Sequence, residues 1–509
     1  MYLFINRISF LSLLIFVPFF SHSQDFSLED EKFESKSIAP ARSHSYWIEL
    51  SAEELLMVRF EQEGSDIAIR VLDPSGELID EFDGNNGAQG PELVIIDPQK
   101  SGRYSLIAQP LEEQKKPGNY RVKIDRRLKK GTGIGEELDQ LIQYWADQGY
   151  LPGFATVVLS KDEVLFQKAY GYAELKDKKP YTLQSIQNIG SVSKTLIGLA
   201  LMKAVEEGKL KLDDEVNQYL PFELRNPYHP DKAIRIAQLA NHTSSIAEME
   251  AYERSYVLKE PFSYQKGEIG RGEFKEMEFY ARNQEMEMGD FLKEILSKGG
   301  KYYKKKNYRK DAPGETYSYS NAGATLAAYI LERVYEMPYH ELTRKLVLEK
   351  LEMHASDWSF DRVEGGKLSD LHFNNQQVIP KYSLITYPDG GLLSNAKDLI
   401  SYLQALMKGY YGESDFLSTA SFQEIMRPHL NPGQSPRKNR NYGIFWEFWG
   451  NDMGHNGGDP GAVCFIRFNK ETGIGRIILT NIIPRSPMAG KSFSTIWKYL
   501  DVYGEKLSP

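Results

Sequence analysis

Ser191 and Lys194 are the residues of this chain most suited to chemistry. They lie in Ile189-Gly190-Ser191-Val192-Ser193-Lys194, just ahead of the apolar run Thr195 to Val205. A helix starting at the serine puts the two side chains one turn apart on one face. A serine hydroxyl is a weak nucleophile and needs a neighbour to take its proton. A lysine can do so when burial and the positive helix end hold it partly deprotonated, and the same helix end offers N–H groups to a developing oxyanion. The spacing recurs at Ser263/Lys266, Ser394/Lys397 and Ser435/Lys438, but only Ser191/Lys194 stands between a glycine and a long apolar helix.

Two further groups complete a set. Tyr319-Ser320-Asn321 is the only Tyr-x-Asn in the chain and precedes the apolar run Ala324 to Val334. A tyrosine beside a cationic lysine is a general base for the serine and then an acid for the leaving group. Asn321 is read as donating to a substrate carbonyl and accepting from Lys194. The third group is His455-Asn456-Gly457-Gly458, ahead of a strand-like run and read as an edge strand, where glycines let substrate backbone approach. The N–H of Gly458 would share an oxyanion with that of Ser191. His455, with an ordinary pKa of about 6.5, is expected neutral at pH 7 and to offer one N–H donor. His242 is read as a buried structural histidine.

These residues need a scaffold of alternating helices and strands. Leu138, Leu141, Ile142 and Trp145 fall at i, i+3, i+4 and i+7, an amphipathic helix. Strands are expected at 153–159, 164–170, 462–468 and 475–480, and a last helix near 492–503. Residues 247–311, dense in charge and aromatics, read as an insertion, either a solvated face or an active-site lid.

Ser-x-x-Lys, then Tyr-x-Asn, then His-x-Gly, in that order, resembles the serine β-lactamase and penicillin-binding-protein family. The similarity is to its class C-like branch of esterases, D-stereospecific peptidases and β-lactamase-related hydrolases, and extends over about residues 136–503. Leu239 to Ser245, Gly390 to Ser394 and Tyr442 to Trp446 echo further family runs. The resemblance implies an α/β (α+β) domain with an antiparallel sheet flanked by helices. It also implies Ser191, Lys194 and Tyr319 as catalytic residues, Asn321, His455, Gly457 and Gly458 as substrate or oxyanion contacts, and no metal or organic cofactor. His455 stands where class C enzymes have lysine, which favours esters or peptides over β-lactams, and Ser245 stands where the echo has glycine. The competing reading is a penicillin-recognising or degenerate binding protein of the same fold.

The chain has 509 residues and a net charge of −8 with interspersed signs. Two or three domains follow from the length, and neither nucleic acid nor an anionic membrane is indicated as partner. Residues 1–23 read as a cleavable signal peptide, with a short apolar core and small residues before a cut between Ser23 and Gln24. The mature protein is therefore expected in the periplasm or medium, without membrane insertion. The single cysteine, Cys464, excludes an intrachain disulfide.

From Gln24 to Lys130, short alternating runs separated by turns such as Asp73-Pro74-Ser75-Gly76 and Pro117-Gly118-Asn119 predict an all-β sandwich. It resembles the pre-peptidase C-terminal type appended to secreted hydrolases and is a candidate protein- or glycan-binding module. The acidic turn near Asp80 and Asp83 reads as a solvated loop rather than a calcium site. Residues 131–135 form the linker to a hydrolase domain at 136–509, whose partner is a small-molecule or peptide substrate.

Overall fold

Alternation of apolar side chains with period two builds the N-terminal unit, Met1–Lys130. The computed structural model describes residues 24–28, 32–83, 87–111, 116–435 and 437–508. The signal-peptide reading, and residues 84–86 just after the acidic turn near Asp83, fall outside them. Nine strands form among the described residues here: β1 (Gln24–Ser27), β2 (Glu34–Ile38), β3 (His44–Leu50), β4 (Glu54–Glu63), β5 (Ile67–Leu72), β6 (Leu78–Phe82), β7 (Gln89–Ile96), β8 (Gly102–Pro110) and β9 (Gly118–Lys129). One sheet runs β1-β3-β8-β5-β6 and the other β2-β9-β4-β7. Tyr46, Ile48 and Leu50 of β3 and Leu56, Val58 and Phe60 of β4 meet in one cluster drawn from both sheets. At its heart His44 Nδ1 and the hydroxyls of Tyr46 and Tyr120 are joined at 2.6 Å, so the polar groups are not left bare.

The second unit, Gly131–Pro509, carries the chemistry. It opens with α1 (Ile134–Asp147), which buries Leu138, Leu141, Ile142 and Trp145 as the spacing requires. Strands β10 (Gly153–Leu159), β11 (Val164–Glu174), β12 (Lys179–Pro180) and β13 (Gln187–Asn188) lead to α2 (Lys194–Glu206) and α3 (Ile236–Ala240). The inserted region holds β14 (Tyr256–Leu258), α4 (Arg271–Tyr280) and α5 (Met288–Leu296). Then come α6 (Asn321–Tyr335), α7 (Tyr339–Thr343), β15 (Tyr382–Leu384), β16 (Leu393–Ser394), α8 (Ala396–Tyr410) and α9 (Thr419–Ile425). The chain ends through β17 (Arg440–Tyr442), β18 (Glu447–Trp449), β19 (Asp452–Asp459), β20 (Ala462–Asn469), β21 (Gly475–Thr480) and α10 (Pro487–Leu507).

The central sheet is antiparallel, in the order β12-β11-β10-β21-β20-β19-β18-β17. Helices α1 and α10 pack against it, while α2 and α6 pack on each other. Helix α2 is buried along nearly its whole length, which explains a sequence apolar on all sides. The edge strand expected at the His455 to Gly458 motif is present among the described residues. Over Asp452 to Gly454, β19 is paired on both sides, with β18 and β20. From His455 to Asp459 it keeps β20 alone, so only its second half is an open edge among the described residues.

Candidate active site

A short 3₁₀ turn, Gly190–Ser193, carries the serine, and α2 begins at Lys194 rather than at Ser191. Ser193 secures the turn by donating to Gly190 O (2.7 Å) and accepting from Leu392 N–H (3.2 Å). Close approach to β19 then dictates two glycines. Gly190 has φ +54°, and a Cβ there would come 2.7 Å from Gly458 N. A Cβ on Gly457 would lie 1.9 Å from Ile189 O and 3.1 Å from Ser191 N. The backbone before and at Ser191 therefore packs tightly on Gly457 and Gly458, while the side-chain direction of Gly458 opens into free space.

Lys194 is fully buried and donates to Ser191 Oγ at 3.0 Å and to the main-chain oxygen of Asp389 at 2.6 Å. The Asp389 carboxylate stands 3.9 Å away. Burial pulls the lysine pKa down, but Tyr319, Asp389 and Glu248 outweigh it, and the net direction is up. That direction favours the cationic lysine on which the tyrosine-base reading relies. Burial pushes Asp389 up in turn, against Lys194 and its hydroxyl donors. Its carboxyl accepts from Tyr252 and Thr325 hydroxyls, both at 2.6 Å, and faces the ammonium, which is the arrangement of an ionised acceptor.

Tyr319 lies at the N-terminal side of α6, its ring centroid 5.2 Å from Lys194 Nζ. Burial raises its pKa, against the pull of Lys194 and Ser191. Behind it, His242 packs its ring at 4.4 Å and receives the Ser320 N–H on Nδ1. His242 is buried and held neutral by burial and by Lys194. It positions the tyrosine, a role the sequence reading did not assign. Ser245 has φ +66°, the left-handed conformation in which glycine is at ease, and its hydroxyl accepts from Asn226 at 2.9 Å.

Asn321 differs from expectation. Its backbone N–H and Nδ2 donate to the two oxygens of Glu248, at 2.6 and 3.2 Å, and it makes no hydrogen bond to Lys194 among the described residues. Glu248 comes from the inserted region, as do Tyr252, bonded to Asp389, and Tyr256, whose hydroxyl donates to Asp459 Oδ1 at 2.7 Å. This part of the insertion is thus a fixed wall of the site.

His455 is also corrected in one respect. Its Nδ1 lies 2.8 Å from the carbonyl of Asn456, and a carbonyl only accepts, so Nδ1 carries the hydrogen. Burial, then Lys194, pushes its pKa down to about 3. The ring is neutral as expected, yet its free nitrogen, Nε2, is a bare acceptor rather than a donor and has no hydrogen-bond partner among the described residues. Arg467 fixes this stretch by donating from Nε (3.1 Å) and from Nη2 (2.9 Å) to Asn456 Oδ1. The rival serines lie elsewhere: Ser394 is buried against Ser356 Oγ (2.8 Å), and Ser435 bonds Arg437 O (2.9 Å).

Ser191, Lys194, Tyr319, His455, Gly457 and Gly458 are therefore brought together, with Asn321 at the rim. Asp389, Glu248 and Asp459 were missed. Asp389 and Asp459 sit inside glycine-rich runs, where a charged residue heading for the interior was the available signal.

A family model described as Beta-lactamase matches residues 138–495. Protein flp of Staphylococcus aureus (strain N315) is 23% identical over 359 residues, covering 68% of this chain and 63% of that protein. Penicillin-binding protein 4* of Bacillus subtilis (strain 168) is 24% identical over 333 residues, covering 60% and 63%. The chain thus spans less than two thirds of the length of these relatives. Among solved structures, the octameric penicillin-binding protein homologue from Pyrococcus abyssi superposes with a TM-score of 0.53 at 23% identity, over 71% of this chain and 77% of that one. A class C beta-lactamase mutant gives 0.51 at 18% identity, over 72% and 97%.

Proposed function

The chain belongs to the Beta-lactamase family, and from that premise we propose an exported serine hydrolase that works through an acyl-enzyme on esters or small amides. Its fold is that of the β-lactamase and penicillin-binding-protein superfamily. The observation that carries the proposal is the 3.0 Å contact between Lys194 Nζ and Ser191 Oγ, beside the amides of Ser191 and Gly458.

Solvent water takes the phenol proton of Tyr319, and the ammonium of Lys194 stabilises the phenolate; Ser191 Oγ then attacks the carbonyl carbon as its proton passes to that phenolate. The two amides hold the oxyanion. Tyr319 then returns the proton to the leaving group, and water cleaves the acyl-enzyme. His455 supports esters and peptides over β-lactams, because a bare nitrogen lone pair repels the carboxylate such drugs carry. The leader-like residues 1–23 support a periplasmic or secreted location, and the N-terminal unit is proposed as a protein- or glycan-binding module.

The test is release of p-nitrophenol from p-nitrophenyl acetate. A burst of one equivalent followed by steady release is expected. Release that stops at one equivalent would instead establish a non-hydrolytic, acylating binding protein.

A further inference from the structure

A cavity of about 320 Å³ opens beside the run Tyr387 to Leu393, and none of Ser191, Lys194, Tyr319 and His455 lines it. Trp358, Phe360, Tyr382 and Tyr387 contribute aromatic walls, and Leu384 and Leu393 aliphatic ones. Small-molecule sites span about 300–1,000 Å³, so the cavity has room for one ring with a short arm.

The walls are held in place by the protein. Trp358 Nε1 donates to Thr343 Oγ1 at 2.9 Å, and its ring meets that of Tyr387 at 5.5 Å between centroids. The Tyr387 hydroxyl accepts from His340 N–H at 3.1 Å and donates to Glu332 Oε1 at 3.4 Å. The Tyr382 hydroxyl donates to Pro460 O at 2.9 Å. With these polar groups satisfied, the rings offer apolar surface that a ligand does not have to order.

The charges around the cavity favour an anion. Asp357 is the one carboxylate in its lining, and it already accepts from Arg344 Nε (3.1 Å) and Nη2 (2.8 Å) and from Trp358 N–H (2.7 Å). His340 has its pKa lowered, chiefly by burial, and is neutral at pH 7. Arg362 is exposed, and its guanidinium makes no hydrogen bond or ion pair among the described residues.

Tyr387 also ties the cavity to the catalytic lysine. It opens the 3₁₀ turn Tyr387–Asp389, and its carbonyl accepts from Gly391 N–H at 2.7 Å. Asp389, at the end of that turn, receives Lys194 Nζ on its main-chain oxygen at 2.6 Å. An occupant pressing on the Tyr387 ring therefore acts on the backbone that positions Lys194.

We propose that this cavity is a second binding site, separate from the substrate's, for a small aromatic carboxylate. Its ring packs among Trp358, Phe360 and Tyr387, its carboxylate pairs with Arg362, and its binding alters turnover through the turn Tyr387–Asp389. The effect on turnover rests on the reading of Ser191 as nucleophile; the binding does not.

Calorimetry on the full chain at pH 7 compares 3-phenylpropionate with the neutral 3-phenylpropanamide, in wild type and in Ser191→Ala. Hydrolysis of p-nitrophenyl acetate is followed with and without the acid. The acid is expected to bind both proteins equally, about 3- to 10-fold more tightly than the amide, as a charge-assisted bond outweighs a neutral one. Arg362→Gln should bring the two compounds within about twofold and leave the amide unchanged, and Phe360→Ala, checked by a melting curve, should weaken both about fivefold. Saturating acid should change kcat by at least about twofold, a modest coupling between sites. No binding, equal affinity for acid and amide, a preference that survives Arg362→Gln, or purely competitive inhibition would each overturn the second site. Unchanged kinetics with the acid bound would overturn the coupling. If Ser191 neither turns over the ester nor takes a fluorophosphonate, the nucleophile reading falls and the coupling with it, while calorimetry still decides the site.

Discussion

Asp389→Asn separates two roles for Lys194. With Asp389 Oδ1 3.9 Å from Lys194 Nζ, Coulomb's law at an effective dielectric of about 20 gives about 4 kcal/mol of support for the ammonium. At about 1.36 kcal/mol per pH unit this corresponds to a fall in the lysine pKa of up to about 3 units when the charge is removed. The active state in our account is the ammonium, which holds Tyr319 as the base. The alkaline limb of the pH profile of kcat/KM should therefore move to lower pH, by about 1 to 3 units. The same change requires the hydroxyl of Tyr252 or Thr325 to turn and accept from the new amide instead of donating, replacing a charge-assisted bond by a neutral one at a cost of about 1 kcal/mol. A melting curve shows whether the variant is folded over the range assayed. The assay is hydrolysis of a p-nitrophenyl ester from pH 5 to 10. If the variant is instead more active at neutral pH, neutral Lys194 is the base; an alkaline limb that does not move refutes the coupling to Asp389.

Asp459 has a pKa pushed up to about 8, chiefly by burial, against about 3.9 unfolded. The folded state thus holds a proton that the unfolded state releases between about pH 4 and 8, and stability falls as pH rises through that window. Asp459→Asn should accordingly raise Tm by more at pH 8 than at pH 4.5, and a pH-independent change contradicts the burial cost. Gly457→Ala drives a Cβ to 1.9 Å from Ile189 O and should cost about 3 kcal/mol or more in stability together with the activity, whereas Gly458→Ala meets nothing within 4 Å and should melt as wild type does. His455→Lys replaces a bare acceptor by a cation and should raise cephalosporin hydrolysis relative to ester hydrolysis about tenfold or more. An unchanged ratio of the two kcat/KM values means that residue 455 does not set this preference.

What could be read in advance was whatever local pattern determines. Strands 153–159 and 475–480 are mostly apolar and buried on both faces, so their bounds were plain. The spacing of Leu138, Leu141, Ile142 and Trp145 gave α1 its buried face. Strand β7 was missed because Gln89-Gly90-Pro91 opens it with turn-like residues, although Leu93, Val94 and Ile96 are core. In the site, Ser191, Lys194 and Tyr319 were legible as motifs with defined spacing. The partners of Asn321 and Lys194 were not, because Glu248 and Asp389 lie 73 and 195 residues away from them in the chain. The tautomer of His455 depends on which carbonyl its Nδ1 meets, and only the conformation of β19 settles that.

The central claim is that Ser191 is the covalent nucleophile. Peptide mass analysis after treatment with a fluorophosphonate tests it most directly. One adduct is predicted, on the peptide containing Ser191, and none in Ser191→Ala. An adduct that persists in that variant, or that maps to Ser263, Ser394 or Ser435, would contradict the account.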